Sequence, residues 1–180
     1  MPAFLPDMIL PGLTAVTEEL LLSRGIDFLM LDFDNTIVPY TTDVPTENME
    51  RWLRMMQTSK VRLCIVSNTK KRRVRDFCEK YGLNYVMHAK KPFHRGIDEC
   101  LSRFSLRKEQ AALVGDQIFT DVLGANTAGL TSILIPAIHN HNILLKLRHA
   151  AELPFIAVGR IRLRLMAGKL QKKSRQGQKN

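Results

Sequence analysis

Asp32 and Asp34 stand two positions apart where the apolar run of "FLMLDFDNTIVPY" (28–40) breaks off, and Asn35 and Thr36 follow them. Taken alone, two acids at this spacing read as a metal site, an acid/base pair or a polar turn. Comparable groups recur further along, each just past an apolar stretch: Ser67 and Asn68, then Lys91, then Asp116 with Asp121 five residues later and Thr120 beside it. Together these are the parts that phosphoryl transfer needs. One carboxylate attacks phosphorus and becomes an aspartyl-phosphate, and a second protonates the leaving alcohol and then activates water. Anionic groups repel an incoming phosphate, so the chemistry also calls for Mg²⁺ on hard oxygen ligands, a lysine, and small hydroxyl or amide donors.

These residues need a scaffold that brings them to one edge. The apolar runs "IDFLMLDF" (26–33), "VRLCIVSN" (61–68), "NYVMHAK" (84–90), "AALVGD" (111–116) and "TSILIP" (131–136) read as five strands. Amphipathic stretches separate them, which is the βαβα pattern of a parallel sheet covered on both faces. Helices are expected from Thr14 to Arg24 with Gly25 as stop, from a Thr46 cap to Gln57, from a Thr69 cap to Tyr81 with Gly82, from Phe93 to Phe104, and from Phe119 to Ala128 with Gly129. In open parallel sheets ligands bind at the C-terminal strand ends, where every one of the polar groups falls. No internal repeat is visible.

The motifs resemble those of haloacid dehalogenase (HAD) superfamily phosphatases. "DFDNT" (32–36) is similar to that superfamily's DxDxT motif, "VSN" (66–68) to its second, "KP" (91–92) to its lysine motif and "GDQIFTD" (115–121) to its GDxxxxD motif. Order and spacing agree over roughly residues 26–136. "LLSRGIDFLMLDFDNT", "AKKP" and "GDQIFTDVLGAN" resemble a narrower branch, the YqeG-type phosphatases, which includes phosphatidylglycerophosphate phosphatases. The resemblance implies a Rossmann-like, five-stranded sheet in the order 5-4-1-2-3, with Asp32 as nucleophile and Asp34 as general acid/base. It implies that Thr36 orients the loop, that Ser67 binds a phosphoryl oxygen with Asn68 nearby, and that Lys91 offsets negative charge. Mg²⁺ would take Asp32, the Asp34 carbonyl and Asp116, with Asp121 in support. A response-regulator receiver also uses acids, a hydroxyl and Lys-Pro around Mg²⁺, but its acid pair and its phosphorylated aspartate lie on different strands. Here the DxD is on the first strand and GDxxxxD follows the lysine, an order that favours the hydrolase.

Asp34 to Ser67 spans 33 positions and Ser67 to Lys91 spans 24, both filled by the helices and strands above. No cap domain fits, so the site is expected to be open and to suit a large substrate: a lipid head group, or alternatively a nucleotide, RNA-end or protein phosphate. At 180 residues and 45% hydrophobic the chain suits one domain with a real core. It divides into an N-terminal helical segment (1–25), the phosphatase domain (26–138) and a basic C-terminal extension (139–180) with a disordered end. Cys64, Cys78 and Cys100 are odd in number and lack CxxC spacing, which points to reduced thiols and a cytoplasmic setting. "MPAFLPDMILPGL" lacks a basic start and is not expected to be a signal peptide.

Residues 1–138 carry 17 Lys and Arg against 16 Asp and Glu, whereas 139–180 carry ten against one, so +9 of the net +10 belongs to the extension. From Arg160 to Lys179 eight cations alternate with Ile161, Leu163, Leu165, Met166 and Leu170. Such a segment is either a solubilising tail or an anchor; an anionic leaflet contributes about 1 kcal/mol per cation, and nucleic-acid phosphates would attract it as well. The favoured expectation is peripheral attachment at the inner face of the cytoplasmic membrane. "TKKRRVR" (69–75) is either a solvated helix face or a second anion-attracting patch. His139 and His141 read as loop surface, the methionines as core filling, and Cys64 as a buried small hydrophobe.

Overall fold

The computed structural model describes the backbone of residues 3–138 and 143–177 and the side chains of 3–138 and 150–169. Six parallel strands form one sheet: β1 (Met8–Ile9), β2 (Phe28–Leu31), β3 (Arg62–Val66), β4 (Asn84–Val86), β5 (Ala111–Gly115) and β6 (Thr131–Leu134), in the order β1-β6-β5-β2-β3-β4. The five expected strands are present in the expected order. A sixth was not foreseen, because Met8–Ile9 is only two residues long and has no periodicity to read. It pairs with Ile133 and Leu134, and the Asp7 carboxylate secures it by accepting from the N–H and hydroxyl of Ser132 (3.0 and 3.2 Å).

β2 is buried on both faces, as a central strand of a covered parallel sheet must be. One face packs under Trp52, Leu53 and Met56 of α2 (Glu47–Gln57) and under Val74 and Phe77 of α3 (Arg72–Tyr81). The other packs under Ile97, Cys100 and Leu101 of α4 (Arg95–Arg103) and Ala125 and Ala128 of α5 (Leu123–Ala128). Cys64, Cys78 and Cys100 are all buried free thiols. The Thr46 cap of α2 accepts from the Met49 N–H at 3.3 Å, as the sequence led us to expect. α3 starts two residues later than expected: Thr69 spends its hydroxyl on the Lys71 N–H (3.3 Å), and the basic run lies across the helix start. The first helix also shortens to a 3₁₀ turn (Leu13–Ala15) and α1 (Glu18–Leu22), which Thr17 caps. The 1–25 segment is therefore mixed in structure and contributes β1 to the sheet.

The extension forms α6 (Ile143–Gly177) as one continuous helix, which runs into the end that was expected to be disordered. Val158, Ile161 and Leu165 recur at i, i+3 and i+7, a helical spacing that the alternation of arginine with apolar residues obscured. The opposite side of α6 docks on the domain. Phe155 meets Phe4 and Phe119 at 5.3 and 5.8 Å between ring centroids, the buried Glu152 Oε1 accepts from the Phe119 N–H (3.2 Å), and Gly159 packs on Pro6. His139, His141 and residues 178–180, the last of the segment read as disordered, lie outside the described residues. No helix among the described residues is long and apolar enough to cross a membrane.

The Trp52 indole N–H donates to the Val16 carbonyl at 2.8 Å and ties α2 to the N-terminal segment. Trp52→Phe leaves that buried oxygen without its donor, so we expect a loss of about 1–3 kcal/mol in chemical denaturation with the fold retained.

Candidate active site

The C-terminal edge of the sheet collects the polar residues. Asp32 leaves β2 with its own N–H still bound to the Val114 carbonyl (2.9 Å), so sheet register sets where its side chain emerges. The chain then turns at Asn35, which takes a left-handed conformation (φ 60°) that asparagine tolerates better than most residues. Asn35 holds the turn by donating its N–H to the Val38 carbonyl (2.8 Å) and accepting from the Tyr40 N–H through Oδ1 (3.1 Å). Thr36 is fully buried beneath the turn, and its hydroxyl has no hydrogen-bond partner among the described residues.

Lys91 is the centre of the arrangement. Its ammonium lies 2.7 Å from Asp32 Oδ1 and 2.7 Å from Asp121 Oδ1, and the side chain is 1% exposed. Two devices aim it. Asn68 grips the Lys91 peptide at both ends, with Nδ2 donating to its carbonyl (2.8 Å) and Oδ1 accepting from its N–H (2.6 Å). The preceding loop carries two residues in the left-handed region, His88 and Lys90 (φ 54° and 57°), and is pressed against the start of α4, where a Cβ on Gly96 would overlap Ala89. Ser67 is buried at the same edge, and its hydroxyl accepts from the Thr69 N–H at 3.2 Å.

Asp116 follows β5, and Asp121 sits in a π-helical turn (Ile118–Val122) that leads into α5. Turns of this kind are uncommon and gather at functional sites. Asp121 Oδ2 accepts from the Gln117 N–H (3.2 Å). Gly115 is required here, because a Cβ at this position would overlap the Asp121 carboxylate. One carboxylate oxygen from each of Asp32, Asp116 and Asp121 lies within 4.8 Å of the others.

The electrostatics follow from crowding. Burial pushes the Asp116 carboxyl well above the usual carboxylate range, and Asp32 and Asp121 push it the same way. Burial raises Asp121 to about 6 against the pull of Lys91. For Lys91 burial works to lower the value, but the two aspartates outweigh it and hold the ammonium charged. Three carboxylates thus face one buried ammonium, and Asp116 Oδ1 has no hydrogen-bond partner among the described residues. The donor set is all oxygen, which fits a hard divalent cation held by Asp32, Asp116 and Asp121.

Asp34 stands outside this cluster of carboxylates. Its Oδ1 lies 3.2 Å from Arg73 Nη1, while burial, opposed by Arg73 and aided by Asp32, raises its carboxyl. Arg73 is the residue that sequence reasoning missed. Rather than belonging to a solvated face, its guanidinium is only 11% exposed, pairs with Asp43 through Nε (2.6 Å) and donates to the carbonyls of Pro39, Tyr40 and Thr42 (3.2, 2.7 and 2.6 Å). One side chain thus ties the 39–43 loop to the carboxylate of Asp34. Its neighbour Val74 marks the buried face of α3, and that adjacency is the signal available in the sequence.

The fold is shared with solved structures. An uncharacterized protein from Listeria monocytogenes serotype 4b superposes with a TM-score of 0.52 at 19% identity, covering 67% of this chain and 99% of that one. The 3-deoxy-D-manno-octulosonate 8-phosphate phosphatase of Yersinia pestis superposes at 0.50 and 17%, covering 74% and 76%. A probable phosphatase from Bacillus subtilis (strain 168), YqeG, is 33% identical over 132 residues, 73% of this chain and 77% of that protein. With the DxD pair after β2, the lysine and the closing aspartate pair in their places, the likeness to the Bacillus phosphatase makes the chain a HAD-type phosphatase. Within that class it belongs to the family described as mitochondrial PGP phosphatase, whose model matches residues 2–137.

Gly115→Ala should displace the Asp121 carboxylate and leave the sheet intact. We expect divalent-cation binding at least tenfold weaker by calorimetry, with an unchanged far-ultraviolet circular dichroism spectrum.

Proposed function

We propose that the protein hydrolyses a phosphomonoester through a phospho-Asp32 intermediate with Mg²⁺ as cofactor, and that its substrate is phosphatidylglycerophosphate at an anionic membrane surface. The observation that carries the mechanism is the buried ammonium of Lys91 between Asp32 and Asp121, beside the unsatisfied Asp116. Asp32, Asp116 and Asp121, with the Asp34 carbonyl, would hold Mg²⁺, which would supply neutralising charge for the phosphate and the carboxylates.

An Asp32 oxygen attacks phosphorus and the ester P–O bond breaks. Asp34, whose raised pKa suits an acid, gives its proton to the leaving alkoxide. Asp34 then takes a proton from water, the water oxygen attacks phosphorus, and the Asp32–phosphorus bond breaks to release inorganic phosphate. Lys91 orients Asp32 through its 2.7 Å contact, Ser67 donates to a phosphoryl oxygen, and Asn68 acts by holding Lys91, although its place beside the phosphate was the expectation. Thr36 fills the space beneath the turn and carries Asp32 and Asp34 in register.

Three things support the lipid reading: the family's description, the absence of any inserted cap among the described residues, and α6. On the side of α6 facing away from Glu152 and Gly159, Val158, Ile161 and Leu165 are 52%, 57% and 63% exposed, with the exposed Arg160 and Arg164 alongside. An apolar stripe flanked by cations suits the headgroup boundary of an anionic bilayer.

With Mg²⁺, purified protein should release phosphate from phosphatidylglycerophosphate in mixed micelles faster than from nucleotide, RNA-end or phosphopeptide substrates; equal or better turnover of the soluble esters would refute the substrate. Asp32→Asn and chelation should each abolish turnover, and radiolabelled substrate should mark the wild type but not Asp32→Asn. Ile161→Glu with Leu165→Glu should reduce sedimentation with anionic vesicles at low salt. Undiminished sedimentation would remove α6 from the membrane.

A further inference from the structure

A cleft of about 240 Å³ opens beside the catalytic edge, with Asp116 among the residues that line it. Its walls are Ile9 and Pro11 from the segment after β1, Leu134 from β6, and Leu153 and Ile156 from α6. Arg160 closes one side, and the cleft continues past it along the same Ile9–Pro11 segment toward Leu163 and Arg164. The two stretches adjoin along Ile9–Pro11 and form a groove that is apolar beside Asp116, with that carboxylate at the inner end and two arginines at the more polar outer rim. Neither Arg160 nor Arg164 has a carboxylate partner among the described residues.

Resting on the phosphatase reading above, we infer that this groove is the binding site for the leaving-group half of an anionic amphiphile, with Arg160 as the residue that recognises its second acidic group. A phosphomonoester at Asp32 and Asp116 leaves the esterified alcohol to extend away from the metal site. The walls along this path are aliphatic and suit methylene groups. An unpaired guanidinium beside them suits a phosphodiester, which it can engage with two parallel N–H donors. Both the N-terminal segment and α6 are needed to build the groove. Their docking through Phe4, Phe119, Phe155 and Gly159 therefore has a purpose beyond packing, and places α6 as a wall whose inner flank faces the substrate and whose outer side carries the apolar stripe. The position of Asp116 in the lining separates this groove from the other surface depressions, which do not reach the carboxylate cluster.

The test uses the full-length protein and two probes below their aggregation concentrations: dihexanoyl phosphatidylglycerophosphate as substrate, and dihexanoyl phosphatidylglycerol, which lacks the monoester, as inhibitor of p-nitrophenyl phosphate hydrolysis. The inhibitor reports on the groove whether or not the lipid phosphate is the physiological substrate. In the wild type inhibition should be competitive. In Arg160→Ala the inhibition constant should rise about tenfold, the loss expected for a charge-assisted contact, and the ratio of kcat/KM for the lipid ester to that for p-nitrophenyl phosphate should fall by a similar factor. Leu153→Gln, at an exposed wall position, should shift both readouts the same way and serves as a second variant with little effect on folding. Arg160→Ala with the wild-type inhibition constant and ratio would overturn the inference while leaving the function standing. Failure to turn over the lipid ester with inhibition intact would overturn the function and leave the groove. A dimer in sedimentation velocity that dissociates in Arg160→Ala would assign the groove to a second copy of the chain and overturn the inference.

Discussion

Three carboxylates within 4.8 Å of one another in a buried site repel by roughly 3.5 kcal/mol per pair, and the ammonium of Lys91 is the compensation that the chain itself supplies. The remaining architecture serves that balance. Asp32, Asp116 and Asp121 come from two adjacent strands and a turn, and Lys91 reaches them from the far side of β3 with almost no exposure to water. Burial strengthens the attraction of Lys91 for its two partners and at the same time disfavours the charged state of Asp116, which has no such partner. A site in that condition is prepared for a cation with oxygen ligands and for a phosphate that arrives with it.

The geometry is obtained by accepting unfavourable backbone locally. Asn35, His88 and Lys90 all hold left-handed conformations within the two loops that carry Asp32 and Lys91. Each costs on the order of 1 kcal/mol and persists because flanking hydrogen bonds over-determine it. Gly115 and Gly96 act differently: their conformations are ordinary, and their lack of a side chain is what matters, since each lets a carboxylate or a loop approach a backbone more closely than any Cβ permits. Asn68 and Arg73 complete the arrangement by gripping main chain, the first the Lys91 peptide and the second the carbonyls of residues 39–42.

The ends of the chain form the least orthodox part of the molecule. β1 extends the sheet beyond β6, and α6 packs across it and the π-helical turn through a small aromatic cluster. Glu152 is buried in this contact and receives the Phe119 N–H, so the helix that carries most of the positive charge is fastened within three residues of the metal-site aspartates. Charge that looked in the sequence like a detached tail is attached to the catalytic edge.

Much of this was legible in the residues alone. Alternating apolar runs and capped amphipathic stretches determine a covered parallel sheet, because the hydrophobic period differs between strand and helix, and the polar residue after each run locates the active edge. The gathering of Asp32, Asp116, Asp121 and Lys91 followed from the polar strand ends, since a parallel sheet aligns its C-terminal edge, while the strand order came from the family resemblance. Only the tertiary structure could decide the rest. Only the neighbouring Val74 set Arg73 apart in sequence from Lys70 and Arg72; its role is created by a loop some 30 residues upstream that folds over it. Asn68 looked like a phosphate ligand until the Lys91 peptide occupied both of its polar groups. The two-residue β1 has no pattern of its own and exists because β6 offers an open edge. The groove joins residues 9–11 to residues 153–164, and no local signal couples segments so far apart: their proximity is created by packing, which depends on the whole chain at once.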